Sequence, residues 1–266
     1  MIDYHLHTRL CKHAVGNVDE YVISAIDAGL KEIAFTDHIP LPDNFDIAHR
    51  MALFEMDKYQ EWILKAQEKF PEIKILFGIE ADYYQGFETF LSDFLANFDF
   101  DLVIMSVHFI ASWFPGNWVF DYDFPEKEKS EIFTEYIDTL IAGIETGIFD
   151  VVGHADIIKR PGESIFSVTP EKVSQLIGAA KKQNMAIEFN TSSFRKQAGI
   201  SYPDPDWIPL ITEHNIPITL GSDAHAPEQI ALNFDRVLRM LKQAGISRLA
   251  RYRKRNRSDI PLQIDY

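Results

Sequence analysis

The chain has 266 residues, of which 46% are hydrophobic and 25% charged, proportions of a folded domain that exclude a disordered or fibrous protein. Its net charge of −14 argues against nucleic acid as a main partner, and no apolar run approaches the roughly 20 residues that span a bilayer. A single cysteine, Cys11, rules out an internal disulfide and fits a reducing, cytoplasmic compartment, and Asp3 and His5 interrupt what would be the apolar core of a secretion signal.

The first element is "MIDYHLH", an apolar run that reads as a buried strand and carries His5 and His7. With His13, three of the nine histidines fall within the first thirteen residues. A satisfied core histidine explains one of them, and three need another account. Residues two apart on a strand point to one face, so His5 and His7 can share an ion. Cys11 has two readings, a further metal ligand or a small residue in a tight loop. Asn17 then caps a helix, with Glu20 three residues later and an apolar stripe of Val18, Tyr21, Val22, Ala25 and Ile26.

Six further runs of the same kind follow: "EIAFTDH", "IKILFGIE", "DLVIMSVH", "FDVVGHAD", "MAIEFNT" and "PITLGSDAH". Helical stripes lie between them. One comprises Met56, Tyr59, Ile63, Ala66 and Phe70; another runs from Ile132 to Ile144 and ends at Gly147. Thr169-Pro170 opens a third in cap-then-proline order, and Pro227 precedes the stripe Ile230, Phe234, Val237, Leu238, Leu241. The long loop after the second run carries Asp46 and His49; His49 is either an exposed loop residue or a substrate contact. After the fourth run comes "FIASWFPGNWVFDYDF", with Trp113, Phe114, Trp118, Phe120, Asp121, Tyr122 and Asp123. It is either a lid over a site or a hydrophobic cluster that packs the loop down. The basic tail "SRLARYRKRNRSDIPL" reads as a solvated segment offsetting acidic surface.

Strand and helix alternate along the whole chain, with no linker or repeat, which predicts one α/β domain over 1–266 with a parallel sheet. Seven units suggest a closed or nearly closed barrel, one strand short of the usual eight. The alternative, an open doubly wound sheet, lacks a Gly-x-Gly-x-x-Gly turn after the first strand. In either fold the site lies at the carboxyl ends of the strands, and there six of the seven runs end in metal-binding residue types: His5 and His7, His38, Glu80, His108, His154, and Asp223 with His225. A glutamate closing a buried strand is costly unless it is paired or coordinated. Asp37 and Asp156 adjoin these positions and are expected to orient imidazoles, with a direct ligand role the second reading for Asp37. His214 falls at a helix end, outside the pattern.

The set His5-x-His7, His13, "TDH", Glu80, His108, "GHAD" and "SDAH" resembles the polymerase-and-histidinol-phosphatase (PHP) family, over Ile2 to about Gln243. That resemblance implies a distorted (β/α)7 TIM-like barrel with a trinuclear metal centre at the C-terminal ends of its strands. It places the first ion on His5, His7, Glu80 and Asp223. Glu80 would bridge to a second ion completed by His108 and His154, and a third would sit on His13, His38 and His225. The three divalent ions could be zinc, iron or manganese. With two ligating carboxylates they leave a local charge on the order of +4, so an acidic protein can still attract a phosphate dianion.

Two segments, "GHADIIKRPG" with Arg160 and "EFNTSSFRKQAGISYPDP" with Arg195, are similar to the monofunctional histidinol-phosphate phosphatases of that family. By this likeness both guanidinium groups hold substrate phosphate. The implied reaction converts L-histidinol phosphate to L-histidinol and phosphate, in histidine biosynthesis, by in-line attack of a metal-bridging hydroxide. The alternative is another PHP phosphoesterase acting on nucleotides or phosphotyrosine. Glu80, Asp223 and His225 are the candidate catalytic residues; Arg160, Arg195, Asp46 and His49 are the candidate substrate contacts. The leaving alkoxide would take its proton from metal-bound water or from an acid such as Asp223. The expected partner is a small phosphorylated substrate, with neither nucleic acid nor membrane involved.

Overall fold

A computed structural model describes residues 1–113, 118–120, 127–195 and 199–262. All seven apolar runs form strands: β1 (Ile2–Leu6), β2 (Glu32–Phe35), β3 (Lys74–Asp82), β4 (Leu102–Ser106), β5 (Val151–Val152), β6 (Ala186–Asn190) and β7 (Ile218–Gly221). Their spatial order is their chain order, and every neighbouring pair is parallel. The sheet curls back on itself. His7 N donates to Ala224 O at 3.0 Å and Ala224 N to His5 O at 3.2 Å, joining β1 to the segment that leaves β7. The result is a seven-stranded α/β barrel, and an open sheet is excluded.

Helices cover the outside because each carries one apolar stripe. In α1 (Val18–Asp27) Asn17 Oδ1 accepts from Glu20 N at 3.1 Å while Glu20 Oε2 accepts from Asn17 N at 2.6 Å, the reciprocal cap expected from the spacing. The helix α2 (Met56–Lys69) buries Met56, Tyr59, Ile63 and Ala66. Between β3 and β4 lies α3 (Glu88–Ala96), which the sequence reading does not anticipate; its Leu91, Phe94 and Leu95 are buried. The helix α4 (Lys129–Glu145) stops before Gly147, whose φ of 69° reverses the chain. A single turn, α5 (Ile165–Val168), leads into α6 (Pro170–Lys182), which does begin with its proline. Last come α7 (Ile208–Glu213), with His214 just past its end, and α8 (Phe234–Gln243). The stripe read from Ile230 becomes helical only at Phe234, because a 3-10 turn at Pro227–Gln229 and Asn233 at φ 67° intervene. Among the described residues no helix is long and apolar enough to cross a membrane.

The basic tail is not a solvated segment. It folds into an antiparallel hairpin, β8 (Arg248–Arg253) and β9 (Asn256–Pro261), that packs under the amino ends of the barrel strands. Leu249, Ala250 and Tyr252 are buried. Arg255 pairs with Asp150 at 2.9 Å, Arg251 with Glu32 at 2.8 Å, and Tyr252 Oη donates to Asp150 O at 3.0 Å. Two of the arginines that suggested a solvated surface, Arg251 and Arg255, are docking contacts to carboxylates at the start of β2 and just before β5. The hairpin leaves the opposite, carboxyl end of the barrel open.

Candidate metal centre

At that carboxyl end the chain turns out of each strand into a loop, and the loops aim their polar side chains inward over the barrel axis. Histidines 5, 7 and 154, with Glu80, are fully or almost fully buried, whereas His13 is exposed at the rim. His5 Nε2 lies 3.4 Å from Glu80 Oε2, and His7 Nε2 lies 3.2 Å from Asp223 Oδ1. Glu80 Oε1 is 2.9 Å from His154 Nε2 and 3.9 Å from His108 Nε2, while Glu80 Oε2 is 2.7 Å from His38 Nδ1. Glu80 is thus the hub of the cluster. The rings of His225 and His13 stack at 4.5 Å between centroids, and His225 stacks on His7 at 4.0 Å. All nine expected ligands are therefore gathered at one mouth of the barrel.

Several sets of three donors each lie within 4.8 Å of one another: His5, His7 and Asp223; His5, Glu80 and His154; His7, His38 and His225; Cys11, His13 and His225. The buried atoms His5 Nε2, His7 Nε2, His38 Nδ1, Glu80 Oε2 and His225 Nε2 have no hydrogen-bond partner among the described residues. His38 Nδ1 and Glu80 Oε2 touch without hydrogen-bonding alignment. An unpaired buried polar atom is expensive. A cluster of them, built from imidazole and carboxylate, is the donor set of a transition-metal site. The residues fit the group.

The electrostatics point the same way. Burial raises the cost of a charged carboxylate, yet the imidazoles of His38 and His5 outweigh it and hold Glu80 well below its usual range. Asp223 is held down likewise, by His5 and His7 against burial. For His7 burial works downward, but the neighbouring carboxylates of Asp223, Asp37 and Glu80 lift it to about 9. Burial pushes His38 down to about 4 and, with the neighbouring His7, His225 to about 2. The two carboxylates thus create a local demand for positive charge, which a cation held among the imidazoles would meet.

The imidazoles are oriented by groups other than those expected. His5 Nδ1 donates to Glu188 Oε1 at 2.7 Å, and His108 Nδ1 to Asp82 Oδ1 at 2.8 Å. Backbone carbonyls of Cys11 and Asp223 accept from Nδ1 of His13 and His225, at 2.8 and 3.0 Å. Each bond turns the Nε2 lone pair toward the cluster. Asp156, expected to do this, instead accepts from Lys159 Nζ at 2.7 Å and Asp204 N at 2.8 Å, tying two loops together. Asp37 lies 3.6 Å from His7 Nδ1 and spends its oxygens on Thr8 and the His38 amide. Glu188 was legible in principle. It is a carboxylate inside the apolar run "MAIEFNT", where the burial cost invoked for Glu80 applies equally. Asp82 follows Glu80 by two residues and so faces the same side of β3.

Cys11 is buried in the 3-10 turn Arg9–Cys11. Burial pushes its thiol up.

The cluster floors a cavity of about 330 Å3 that is also lined by Asp46, His49, Arg50, Trp118, Phe120, Ile157, Ser192 and Arg195. Trp118 packs on His49 with ring centroids 4.1 Å apart. Phe114, Asp121, Tyr122, Asp123 and the side chain of Trp113 lie outside the described residues. Arg195 Nη1 and Nη2 donate to the carbonyls of Ser222 and Asp223, both at 2.8 Å, which ties the guanidinium to the backbone at Asp223, where φ is 53°. Arg160 is exposed on the loop after β5 and is not among the lining residues.

A parallel barrel of seven strands with a histidine-carboxylate cluster at its open mouth defines a metal-binding hydrolase scaffold, and the chain belongs to the PHP domain family, whose profile matches residues 3–192. Its relatives sharpen this. It is 35% identical over 248 residues to the "Probable histidinol-phosphatase" of Deinococcus radiodurans, covering 92% of this chain and 94% of that one. It is 27% identical to the histidinol-phosphatase of Bacillus subtilis, covering 89% and 97%. Among solved structures, it matches histidinol phosphate phosphatase from Lactococcus lactis, complexed with zinc, L-histidinol and phosphate. That match has a TM-score of 0.84 at 25% identity, over 97% of this chain and 98% of that one.

Proposed function

We propose that this protein is a metal-dependent phosphatase that hydrolyses L-histidinol phosphate to L-histidinol and phosphate. The observation that carries the reading is the convergence of unpaired imidazole and carboxylate donors on the floor of a cavity whose wall holds an arginine. Similarity to histidinol-phosphatases along nearly the full chain supports the substrate.

His5, His7, Glu80 and Asp223 would hold a first divalent ion, Glu80 with His108 and His154 a second, and His13, His38 and His225 a third. Bound there, such ions supply Lewis acidity and lower the pKa of water to about 7. Glu188 and Asp82 keep His5 and His108 in the tautomer that presents Nε2. Glu80 and Asp223 offset part of the positive charge, so product phosphate can leave. Arg195 reaches the phosphoryl oxygens from the cavity wall while its other donors fix the Asp223 backbone. Arg160 would approach the same phosphate from the exposed loop after β5. The aromatic face of Trp118 and the imidazole of His49 suit the flat, polar imidazole of the alcohol product.

Elemental analysis of purified protein, paired with turnover of histidinol phosphate, a nucleoside monophosphate and phosphotyrosine, tests this. Metal-replete protein should prefer histidinol phosphate, and Glu80→Gln should abolish turnover without unfolding the barrel. Comparable poor turnover on all three substrates defeats the substrate assignment.

A further inference from the structure

The loop between β2 and α2 forms one wall of the cavity, with Asp46 and His49, and a single buried cation holds it there. Arg50 is 2% exposed. Its Nη1 donates to Ile39 O at 2.9 Å, its Nε and Nη2 to Asp46 Oδ2 at 3.2 and 3.0 Å, and its Nη2 also to Asp82 Oδ2 at 2.9 Å. The remaining oxygen of each carboxylate binds a histidine: Asp46 Oδ1 lies 2.6 Å from His49 Nδ1, and Asp82 Oδ1 2.8 Å from His108 Nδ1. A continuous chain, His49–Asp46–Arg50–Asp82–His108, therefore runs from the open side of the cavity to the donor cluster.

We infer that Arg50 is a positioning residue for the phosphorylated substrate: it neutralises Asp46 and fixes His49 in the cavity wall. The inference rests on the phosphatase reading of the cavity. A carboxylate facing a site for a phosphate dianion repels it unless a cation is paired with it. Asp46 is that carboxylate, and it is held at φ 54°, a conformation that needs fixing from outside. The planar guanidinium meets three acceptors at fixed angles, which the point charge of a lysine cannot reproduce. With both Asp46 oxygens committed, His49 donates through Nδ1 and leaves Nε2 as an acceptor.

The test compares metal-loaded wild type, Arg50→Met, Arg50→Lys and Arg50→Met/Asp46→Asn. It measures KM, kcat, competitive inhibition by inorganic phosphate, metal content and thermal unfolding. In Arg50→Met, KM and the inhibition constant of phosphate should each rise roughly tenfold or more, the effect of losing a charged hydrogen bond. Metal content should stay at the wild-type level. Arg50→Lys should recover part of the loss, and the double variant should recover phosphate inhibition because the unpaired carboxylate is gone. Loss of metal and of kcat with unchanged KM and unchanged phosphate inhibition overturns the inference, because Arg50 would then act only through Asp82 on His108. If Arg50→Met does not fold, unaltered phosphate inhibition in Arg50→Lys overturns it as well. Failure of wild type on histidinol phosphate sinks the substrate reading instead. Phosphate inhibition, measured against whichever phosphomonoester is turned over, still judges Arg50.

Discussion

Replacing Glu188 by glutamine separates the orientation of a ligand from its presence. The carboxylate accepts three bonds: from His5 Nδ1 at 2.7 Å through Oε1, and from His154 N at 2.9 Å and Asn190 Nδ2 at 3.1 Å through Oε2. All three partners are donors, so a carboxylate satisfies them and an amide cannot. If the new Nε2 faces His5, the ring must carry its proton on Nε2 to accept there, and it loses the lone pair a metal needs. If the amide flips, Nε2 confronts the His154 amide, donor against donor. Either way one charge-assisted hydrogen bond is lost, worth about 1.5–3 kcal/mol, which corresponds to roughly 10–100-fold in metal affinity. The barrel should remain folded, because the shape of residue 188 is nearly unchanged. Competition against a chromophoric chelator gives the affinity, and a melting curve gives the fold. Metal affinity within twofold of wild type would refute the tautomer argument.

Four further variants test other contacts. Gly221→Ala would place a Cβ 1.8 Å from Glu188 Oε1 and 2.7 Å from His5 Cβ, so it should lower metal affinity at least as far as Glu188→Gln and cost about 1–3 kcal/mol in stability, read from chemical denaturation. Arg195→Ala should raise KM by roughly 10–100-fold and depress kcat through the freed Asp223 backbone. Arg160→Ala, at an exposed position, should raise KM by no more than about fivefold; steady-state kinetics of the two variants checks both. Arg255→Ala removes contacts to Asp150 at 2.9 and 3.2 Å and to Ile148 O at 2.6 Å. It should lower Tm by a few degrees for a loss of about 1–3 kcal/mol, with kcat unchanged because the hairpin lies at the far end of the barrel.

The strands and most helices were legible because a parallel barrel buries both faces of each strand, leaving continuous apolar runs that end abruptly in polar residues. Those abrupt ends carry His38, Glu80, His108 and His154, so the donor cluster could be read with the strands. What escaped detection was polar pairing inside the fold. Glu188 and Asp82 sit within runs read for their apolar neighbours, and Arg50 lies in a loop with no periodicity to mark it. The tail misled for a physical reason. Alternating arginines look like solvent exposure until carboxylates on distant strand starts, Glu32 and Asp150, are known to face them. Asp156 misled because adjacency in sequence to His154 does not imply adjacency at the ring; its carboxylate turns to Lys159 instead.

The closure between β1 and β7 has a consequence for assembly. Its two backbone bonds, with His7 and His5 on one side and Ala224 on the other, bring together residues separated by nearly the whole sequence, the costliest kind of contact to form. Donors from both sides of that seam, His5 and His7 with Asp223, meet around one point. An ion held there would clasp the two ends of the barrel together, coupling its own affinity to closure of the fold.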